Sequence, residues 1–333
     1  MKFSSIVCAL TAAVSVIAAP VSSGSNNTNK TILLTNDDGW ASTNIRATYK
    51  NLKNAGYEVI MVAPVSQRSG FGGQFLLPTT KNLTTGGEFN YPPAGSPSWD
   101  HEKDDMNIWY FNGTPSSCVA FALNYIMPKY YNNKTVDLVV SGPNEGTNMS
   151  PGLYTLSGTM GATYSAVNRG IPAIAFSGSN SNNSFYKDDV SKENDKTFTP
   201  NILAKKVVQL VDALFASYHN HPNMLPVTTG LNVNFGPVGA DCMDPEYVFT
   251  RLDGPDSMTP SLAMNQTTGL PVWSFGYYPA TFTCVFGDCD LPSEAWLITE
   301  KTCKASVSLF SIDYDADYKQ ASRVQSYLAP VLN

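Results

Sequence analysis

Three short runs in the first half of the chain, Thr31–Thr35, Tyr57–Ala63 and Val136–Ser141, are apolar almost from end to end, and each stops at small polar or proline residues. A strand with one face in water alternates apolar and polar residues, whereas a strand without alternation is covered on both faces. A fourth run, Ala173–Phe176, follows Gly170-Ile171-Pro172, and Val227–Asn234 reads as a fifth strand. Helical spacing fills the intervals. Ile45, Tyr49 and Leu52 mark one helical face that Gly56 closes, and Thr114-Pro115 supplies a cap and first-turn proline ahead of Val119, Ala122, Leu123, Ile126 and Met127. Ser157–Arg169 and Pro200–Tyr218 read as further helices. Strands buried on both faces and separated by helices require a mostly parallel sheet between two helical layers, a three-layer α/β fold. In such sheets a ligand sits beyond the carboxyl ends of the strands.

The remainder is less regular. Ser66–Asp105 is rich in Gly, Pro, Thr and Asn without a sustained period, so it is expected to form loops with short strands, long enough to serve a function. The last hundred residues are rich in Pro and Gly and include one strand-like run, Ser306–Ile312. Asp313-Tyr314-Asp315-Ala316-Asp317 lacks the glycine and distant glutamate of a calcium loop and reads as a solvated acidic turn.

Residues 1–19 have the pattern of a secretory signal peptide: Lys2, a short apolar stretch from Ile6 to Ala18, and small residues ahead of Pro20. Cleavage is expected after Ala18 or Ala19. The stretch is shorter than the roughly 20 residues needed to span a bilayer, and no later segment is long and apolar enough. Residues 20–30 form a Ser- and Asn-rich flexible lead, and residues 31–333 the folded domain. Charged residues are only 14% of the chain, well below the roughly 25% usual for soluble domains. Attached sugar would account for solubility, and Asn-x-Ser/Thr triplets begin at Asn26, Asn29, Asn82, Asn112, Asn133, Asn148, Asn182 and Asn265. With Cys8 removed, five cysteines remain; Cys284–Cys289 is the local disulfide option and Cys242–Cys303 the remainder, which leaves Cys118 as a buried thiol in an apolar helix. The net charge of −6 comes with no Lys/Arg run, which argues against a nucleic-acid backbone as partner.

Several reaction classes are absent. There are three histidines (His101, His219 and His221), no Gly-x-Ser-x-Gly elbow and no glycine-rich phosphate loop after the first strand. What stands at that strand's carboxyl end is Asn36-Asp37-Asp38-Gly39. Two adjacent carboxylates repel one another, and a hard divalent cation relieves that repulsion. Alone, the motif reads equally well as a solvated turn. However, Gln67-Arg68-Ser69-Gly70 follows the second strand and Ser141-Gly142-Pro143-Asn144 the third, so short oxygen-bearing side chains recur at three strand ends. Carboxylates, a hydroxyl and an amide without His or Cys suit Mg²⁺, Mn²⁺ or Ca²⁺. Ser157-Gly158-Thr159 opens a helix and by itself reads as a plain Ser or Thr cap, but beside these strand ends its N–H groups would form a phosphate site, and Asn112-Gly113-Thr114 opens a second helix expected at the same edge.

Leu34-Thr35-Asn36-Asp37-Asp38-Gly39, Val62-Ala63-Pro64 with Arg68-Ser69-Gly70, Gly113-Thr114-Pro115 with Cys118-Val119, Val139–Gly146 with Asn148, and Ser157-Gly158-Thr159 together resemble the SurE survival-protein phosphatases and nucleotidases. The blocks keep the family's order across Ile32–Ser177. The resemblance implies a Rossmann-like α/β fold and divalent-metal-dependent hydrolysis of phosphate monoesters, nucleoside monophosphates included. It places one cation, Mg²⁺ or Mn²⁺ with Ca²⁺ as an alternative, on Asp37, Asp38, Ser69 and Asn144, with the two aspartates catalytic. Phosphate or substrate would then meet Asn36, Ser157, Gly158, Thr159, Gly113 and Thr114. The leader and sequons place the likeness nearest the secreted, acid-phosphatase-like fungal branch, extracellular or in the cell wall. An insert at about 77–105 and a disulfide-bearing part from about 235 depart from compact bacterial members, and a homodimer or tetramer is left open. The rival reading is a secreted nucleotide- or metal-binding glycoprotein without turnover; a cysteine-stapled wall protein leaves the strand-end residues unexplained. Glycans on Asn112 or Asn148 would obstruct the site, so both are expected to stay unmodified.

Overall fold

The computed structural model describes residues 29–180, 182–218, 223–279, 283–284, 287–315, 317–329 and 331, and in it the apolar runs lie side by side in one sheet. β1 (Thr31–Thr35), buried throughout, pairs in parallel with β2 (Glu58–Pro64) on one side and β5 (Leu138–Glu145) on the other. Beyond β2 lie the parallel β4 (Ile108–Phe111) and the antiparallel edge strand β3 (Trp99–His101). Beyond β5 come β6 (Ala173–Gly178) and β7 (Thr229–Phe235), both parallel, then β11 (Lys304–Ser311), antiparallel to β7, and β8 (Glu246–Thr250). The chain leaves β1 toward β2 and returns on the other side as β5, so the β1/β5 boundary is the point where strand order reverses and a crevice opens.

Successive side chains on a strand face opposite ways, and that alternation creates two cores. Ile32 and Leu34 of β1 pack with α1 (Thr43–Asn54) through Ile45, Tyr49 and Leu52, and with α6 (Thr199–Tyr218) through Leu203, Val207 and Val211. Leu33 faces the other way, toward α2 (Pro115–Phe121) through Cys118 and Val119 and α5 (Gly158–Val167) through Met160, Ala162 and Ala166. This is the expected three-layer arrangement. Thr114 caps α2 as expected, its N–H meeting Ser117 Oγ at 2.9 Å, and the helix runs on through a π turn (Ala122–Ile126) into α3 (Met127–Tyr130).

Some elements differ from the sequence reading. β5 does not stop at Ser141; it continues to Glu145 through a register shift between Ser141 and Asn144. Gly142 makes this possible at φ +107°, where a β-carbon would lie 2.2 Å from the Phe176 carbonyl oxygen. The short α4 (Ser150–Leu156) has Pro151 and Gly152 in its first turn, both poor helix formers, so no periodic signal marks it. The C-terminal third is not merely an appendage, because β8 and β11 extend the main sheet. It also carries α7 (Glu294–Glu300), α8 (Tyr318–Leu328) and a separate hairpin of β9 (Thr259–Met264) and β10 (Pro271–Gly276), which turns Leu262, Trp273 and Phe275 to solvent.

Cys242–Cys303 ties the segment after β7 to the residue before β11, Cys284–Cys289 closes a short loop, and Cys118 is a buried free thiol. The signal peptide, the lead up to Thr28, Cys8, Asn26, His219 and His221 lie outside the described residues. Among the described residues no helix is long and apolar enough to cross a membrane.

Candidate active site

β1 delivers its carboxyl end into a turn that Asn36 closes. Its Nδ2 donates to the Gly39 carbonyl at 3.0 Å and its Oδ1 accepts the Gly39 N–H at 3.3 Å. Gly39 sits at φ +104°, a conformation that side chains other than glycine rarely adopt. The turn fixes Asp37 and Asp38 in the crevice, 2% and 0% exposed. Asn36 therefore holds the turn rather than presenting a free side chain.

Asp37 faces the start of α5. Its Oδ1 accepts the Thr159 hydroxyl, and the backbone N–H groups of Gly158 and Thr159 point at the same carboxylate. Ser157 caps the helix, its Oγ accepting the Met160 N–H at 3.1 Å. Glycine at 158 allows this approach: a β-carbon there would lie 3.0 Å from Asp37 Cβ, Asp37 Oδ2 and the Arg68 carbonyl oxygen.

Asp38 faces β5. Its Oδ2 accepts the Glu145 N–H at 2.9 Å, while Oδ1 is buried with no hydrogen-bond partner among the described residues. The bulge after Gly142 brings Asn144 beside it. Asn144 Nδ2 donates to the carbonyls of Glu145 and Gly146 at 2.7 and 2.8 Å, leaving its Oδ1 buried and unpartnered among the described residues. Ser141 Oγ is in the same condition.

The loop after β2 closes the third side. The Arg68 N–H donates to the Asp37 carbonyl at 2.6 Å, and Ser69, next along, is exposed. The Arg68 side chain donates to the Gly113 carbonyl at 3.2 Å and to Asn112 Oδ1 at 3.1 Å, which ties the start of α2 to this loop. Thr114 is committed elsewhere: its hydroxyl donates to the Gln74 carbonyl at 2.6 Å and accepts the Leu76 N–H at 3.1 Å.

Burial pushes the Asp37 carboxyl above its ordinary range, opposed by the hydroxyl and N–H groups of the α5 start. Asp38 is pushed well above, first by burial, then by the charge of Asp37, with Glu145 and Glu88 adding to it. Such burial and like charge are relieved either by a proton or by a cation. The donor set fits a hard divalent ion: all oxygens, three of them buried and unpartnered among the described residues, on Asp38, Asn144 and Ser141. Among the described residues no group of three or more His, Cys, Asp or Glu could hold a metal, so Asn and Ser oxygens would have to complete the shell.

Of the residues expected from sequence, Asp37, Asp38, Asn144, Gly158 and Thr159 converge directly, Ser69 and Gly113 border them, and Asn36, Thr114 and Ser157 are spent on local geometry. Three further residues reach the cluster without being expected from sequence. Glu145, which follows Asn144 directly, accepts from Gln67 Nε2 at 3.3 Å and from the Asn183 N–H. Glu88, from the aperiodic segment, accepts the Gln67 N–H at 3.1 Å. Asn183 donates from Nδ2 to the Asp38 carbonyl at 3.1 Å. No local pattern marks the last two. His101 lies on the edge strand β3, its Nδ1 2.7 Å from the Glu102 carbonyl oxygen and its ring against Trp109.

The profile of the family described as Survival protein SurE matches residues 32–254. An acid phosphatase of Yarrowia lipolytica is 44% identical over 342 aligned positions, 98% of this chain and 94% of that protein. The 5'-nucleotidase SurE of Wolbachia pipientis wMel is 32% identical over 176 positions, 53% of this chain and 59% of that protein. The crystal structure of the SurE protein from Aquifex aeolicus superposes with a TM-score of 0.60 at 24% identity, covering 89% of this chain and 99% of that one, which supports the fold.

Proposed function

The chain belongs to the SurE family and is a hydrolase of phosphoric monoesters, and on that premise we propose a secreted, metal-dependent acid phosphatase and nucleotidase centred on the Asp37–Asp38 turn. The observation that carries this reading is the pair of buried adjacent carboxylates facing a helix start, with Asp38 Oδ1 and Asn144 Oδ1 left without partners among the described residues. Asp37, Asp38, Ser69 and Asn144 would hold the cation, Mg²⁺ or Mn²⁺. When bound, it supplies Lewis acidity to a phosphoryl oxygen and acidifies water.

The chain's own residues do the rest. The Asp38 carboxylate accepts the Glu145 N–H, the Asp37 carboxylate accepts the Thr159 hydroxyl, and the Arg68 N–H holds the Asp37 backbone carbonyl, so both carboxylates are positioned in advance. The N–H groups of the α5 start and the Thr159 hydroxyl are spent on the Asp37 carboxylate, which they fix in place, and phosphoryl transfer depends mainly on such positioning and electrostatics. His101, the one histidine among the described residues, lies on the edge strand β3, and a carboxyl group or water is assigned to protonate the leaving oxygen.

Secretion rests on the leader, on the disulfides Cys242–Cys303 and Cys284–Cys289, and on exposed sequons at Asn82 and Asn133. The apolar outward face of the β9–β10 hairpin is compatible with a homodimer or tetramer. Asp37→Asn keeps an acceptor for Thr159, so the variant is expected to fold and to lose turnover. Retained activity that still needs added metal would overturn the assignment.

A further inference from the structure

Two sides of the site come from different stretches of the chain. Asn144 and Glu145 end β5, while Gly158 and Thr159 open α5 and hold Asp37. Residues 146–156 join them, and this link is pinned at its middle from outside the carboxylate cluster. The Asn148 N–H donates to Asn234 Oδ1 at 2.7 Å, its Nδ2 donates to Ser177 Oγ at 2.8 Å, and its carbonyl accepts Asn232 Nδ2 at 2.9 Å. Ser150, the first residue of α4, donates its N–H to Glu294 Oε1 at 2.9 Å. Between them Met149 packs with Ala295 and Ile298 of α7. The C-terminal third therefore reaches the link through Glu294 and the face of α7 around it.

Two features single out Glu294. Ser150 sits at φ +67°, a conformation that carries strain in residues other than glycine, so the bond to Glu294 restrains a turn that would otherwise relax. Glu294 is also a fully buried carboxyl with no cation in ion-pair contact among the described residues. The strands packed against it present uncharged groups: Asn232 from β7, Ser308 from β11 and Thr250 from β8. The titratable groups that face it are Asp253, beyond β8, and Tyr154 of α4, while Arg251 turns its Nε to the Leu291 carbonyl at 2.9 Å. Burial pushes the Glu294 carboxyl up to about 8, so it is neutral at acid pH and ionises as the pH approaches 8. The neutral form is accommodated, because the Ser308 hydroxyl can accept its proton and donate to Thr250 Oγ1, 2.7 Å away. The ionised form is a buried charge without a counterion; it draws in water, and the strained Ser150 turn is where the packing yields.

We infer that Glu294 is a positioning residue of this hydrolase, clamping residues 146–156 so that Asn144 and the α5 start keep their places around Asp37 and Asp38, and that the clamp holds at acid pH and loosens toward alkaline pH. The inference rests on the phosphomonoesterase reading above and adds how the site is regulated by pH from the C-terminal third.

The test measures kcat and KM for p-nitrophenyl phosphate at pH 5 and pH 8, with saturating Mg²⁺, in the wild type, Glu294→Gln and Glu294→Ala. Circular dichroism under each assay condition confirms that the protein is folded. Glu294→Gln copies the neutral carboxyl, with an acceptor for Ser150 and a donor for Ser308. From pH 5 to pH 8 the wild-type kcat should fall about tenfold further than that of Glu294→Gln, with KM differing by less than about twofold between them. Glu294→Ala leaves the Ser150 N–H without its acceptor and should lower kcat at pH 5 about tenfold. The substrate, Asp37 and Asp38 titrate in all three proteins, so the difference isolates Glu294. Parallel pH profiles for the wild type and Glu294→Gln, or undiminished turnover in Glu294→Ala, would overturn the clamp while leaving the hydrolase intact. No turnover by the folded wild type at either pH would overturn both readings.

Discussion

Glu294 is a buried carboxyl outside the catalytic cluster, and its environment makes a prediction with a definite sign. It lies in the first turn of α7 and is fully buried. Oε1 accepts the Ser150 N–H at 2.9 Å, Oε2 accepts the Ser308 hydroxyl at 2.8 Å, and Asn232 Nδ2 lies 3.3 and 3.2 Å from the two oxygens. Ser308 Oγ is in turn 2.7 Å from Thr250 Oγ1. Among the described residues no cation pairs with it. Burial pushes the carboxyl up to about 8 against these hydrogen bonds, with Asp253 adding to the rise. A folded-state value above the ordinary one means that the folded protein keeps a proton the unfolded chain releases. Stability from this group is full below about pH 4.5 and is lost as pH rises toward about 8. At roughly 1.4 kcal/mol for each pH unit the ceiling is about 5 kcal/mol. Glu294→Gln is neutral at every pH, and its amide still offers an acceptor to Ser150 and a donor to Ser308. Urea unfolding of both proteins at pH 5 and pH 8 reads the effect. The wild type should lose at least about 2 kcal/mol more than the variant over that interval. Asp37 and Asp38 titrate in both proteins, so the difference isolates Glu294. Identical pH slopes, or a steeper loss in the variant, would refute the argument.

Other consequences follow from the same geometry. Gly158→Ala puts a methyl 3.0 Å from the Asp37 carboxylate and the Arg68 carbonyl, so turnover should fall about tenfold or more while unfolding shifts by no more than about 2 kcal/mol. Replacing Cys242 and Cys303 by serine removes a crosslink across 61 residues and should cost about 4 kcal/mol in denaturant unfolding under oxidising conditions. Glycopeptide mapping should find Asn148 unoccupied, since it is 8% exposed and its amide donates to Ser177 Oγ at 2.8 Å, and Asn112 likewise, since it accepts from Arg68; full occupancy of either would contradict the site geometry.

The sheet is legible in the sequence where burial on both faces removes alternation, as in Ile32-Leu33-Leu34 and Leu138-Val139-Val140, because short unbroken apolar runs between helices fit a covered parallel sheet. The end of β5 is not legible, because Gly142-Pro143 reads as a turn; only the three-dimensional bulge shows that the strand carries on to Glu145. The β9–β10 hairpin leaves no sequence signal because its apolar residues face solvent, where no core imposes a period. Asp37 and Asp38 stand out because of their place at a strand end, and Thr159 because it opens a helix. Asn36 and Thr114 have the same polar chemistry as ligands but spend it on a turn and a cap, a distinction that depends on partners at Gly39 and Gln74. Glu88 and Asn183 come from loops with no period, brought to the crevice by long-range contacts that sequence spacing does not encode.

The most direct test of the central claim is phosphate release from p-nitrophenyl phosphate by the purified protein, before and after chelation and with Mg²⁺ or Mn²⁺ restored. The account predicts release at acid to neutral pH, its loss with the chelator and its recovery with the metal. Release that persists undiminished through exhaustive chelation would contradict a cation held between Asp37, Asp38 and Asn144.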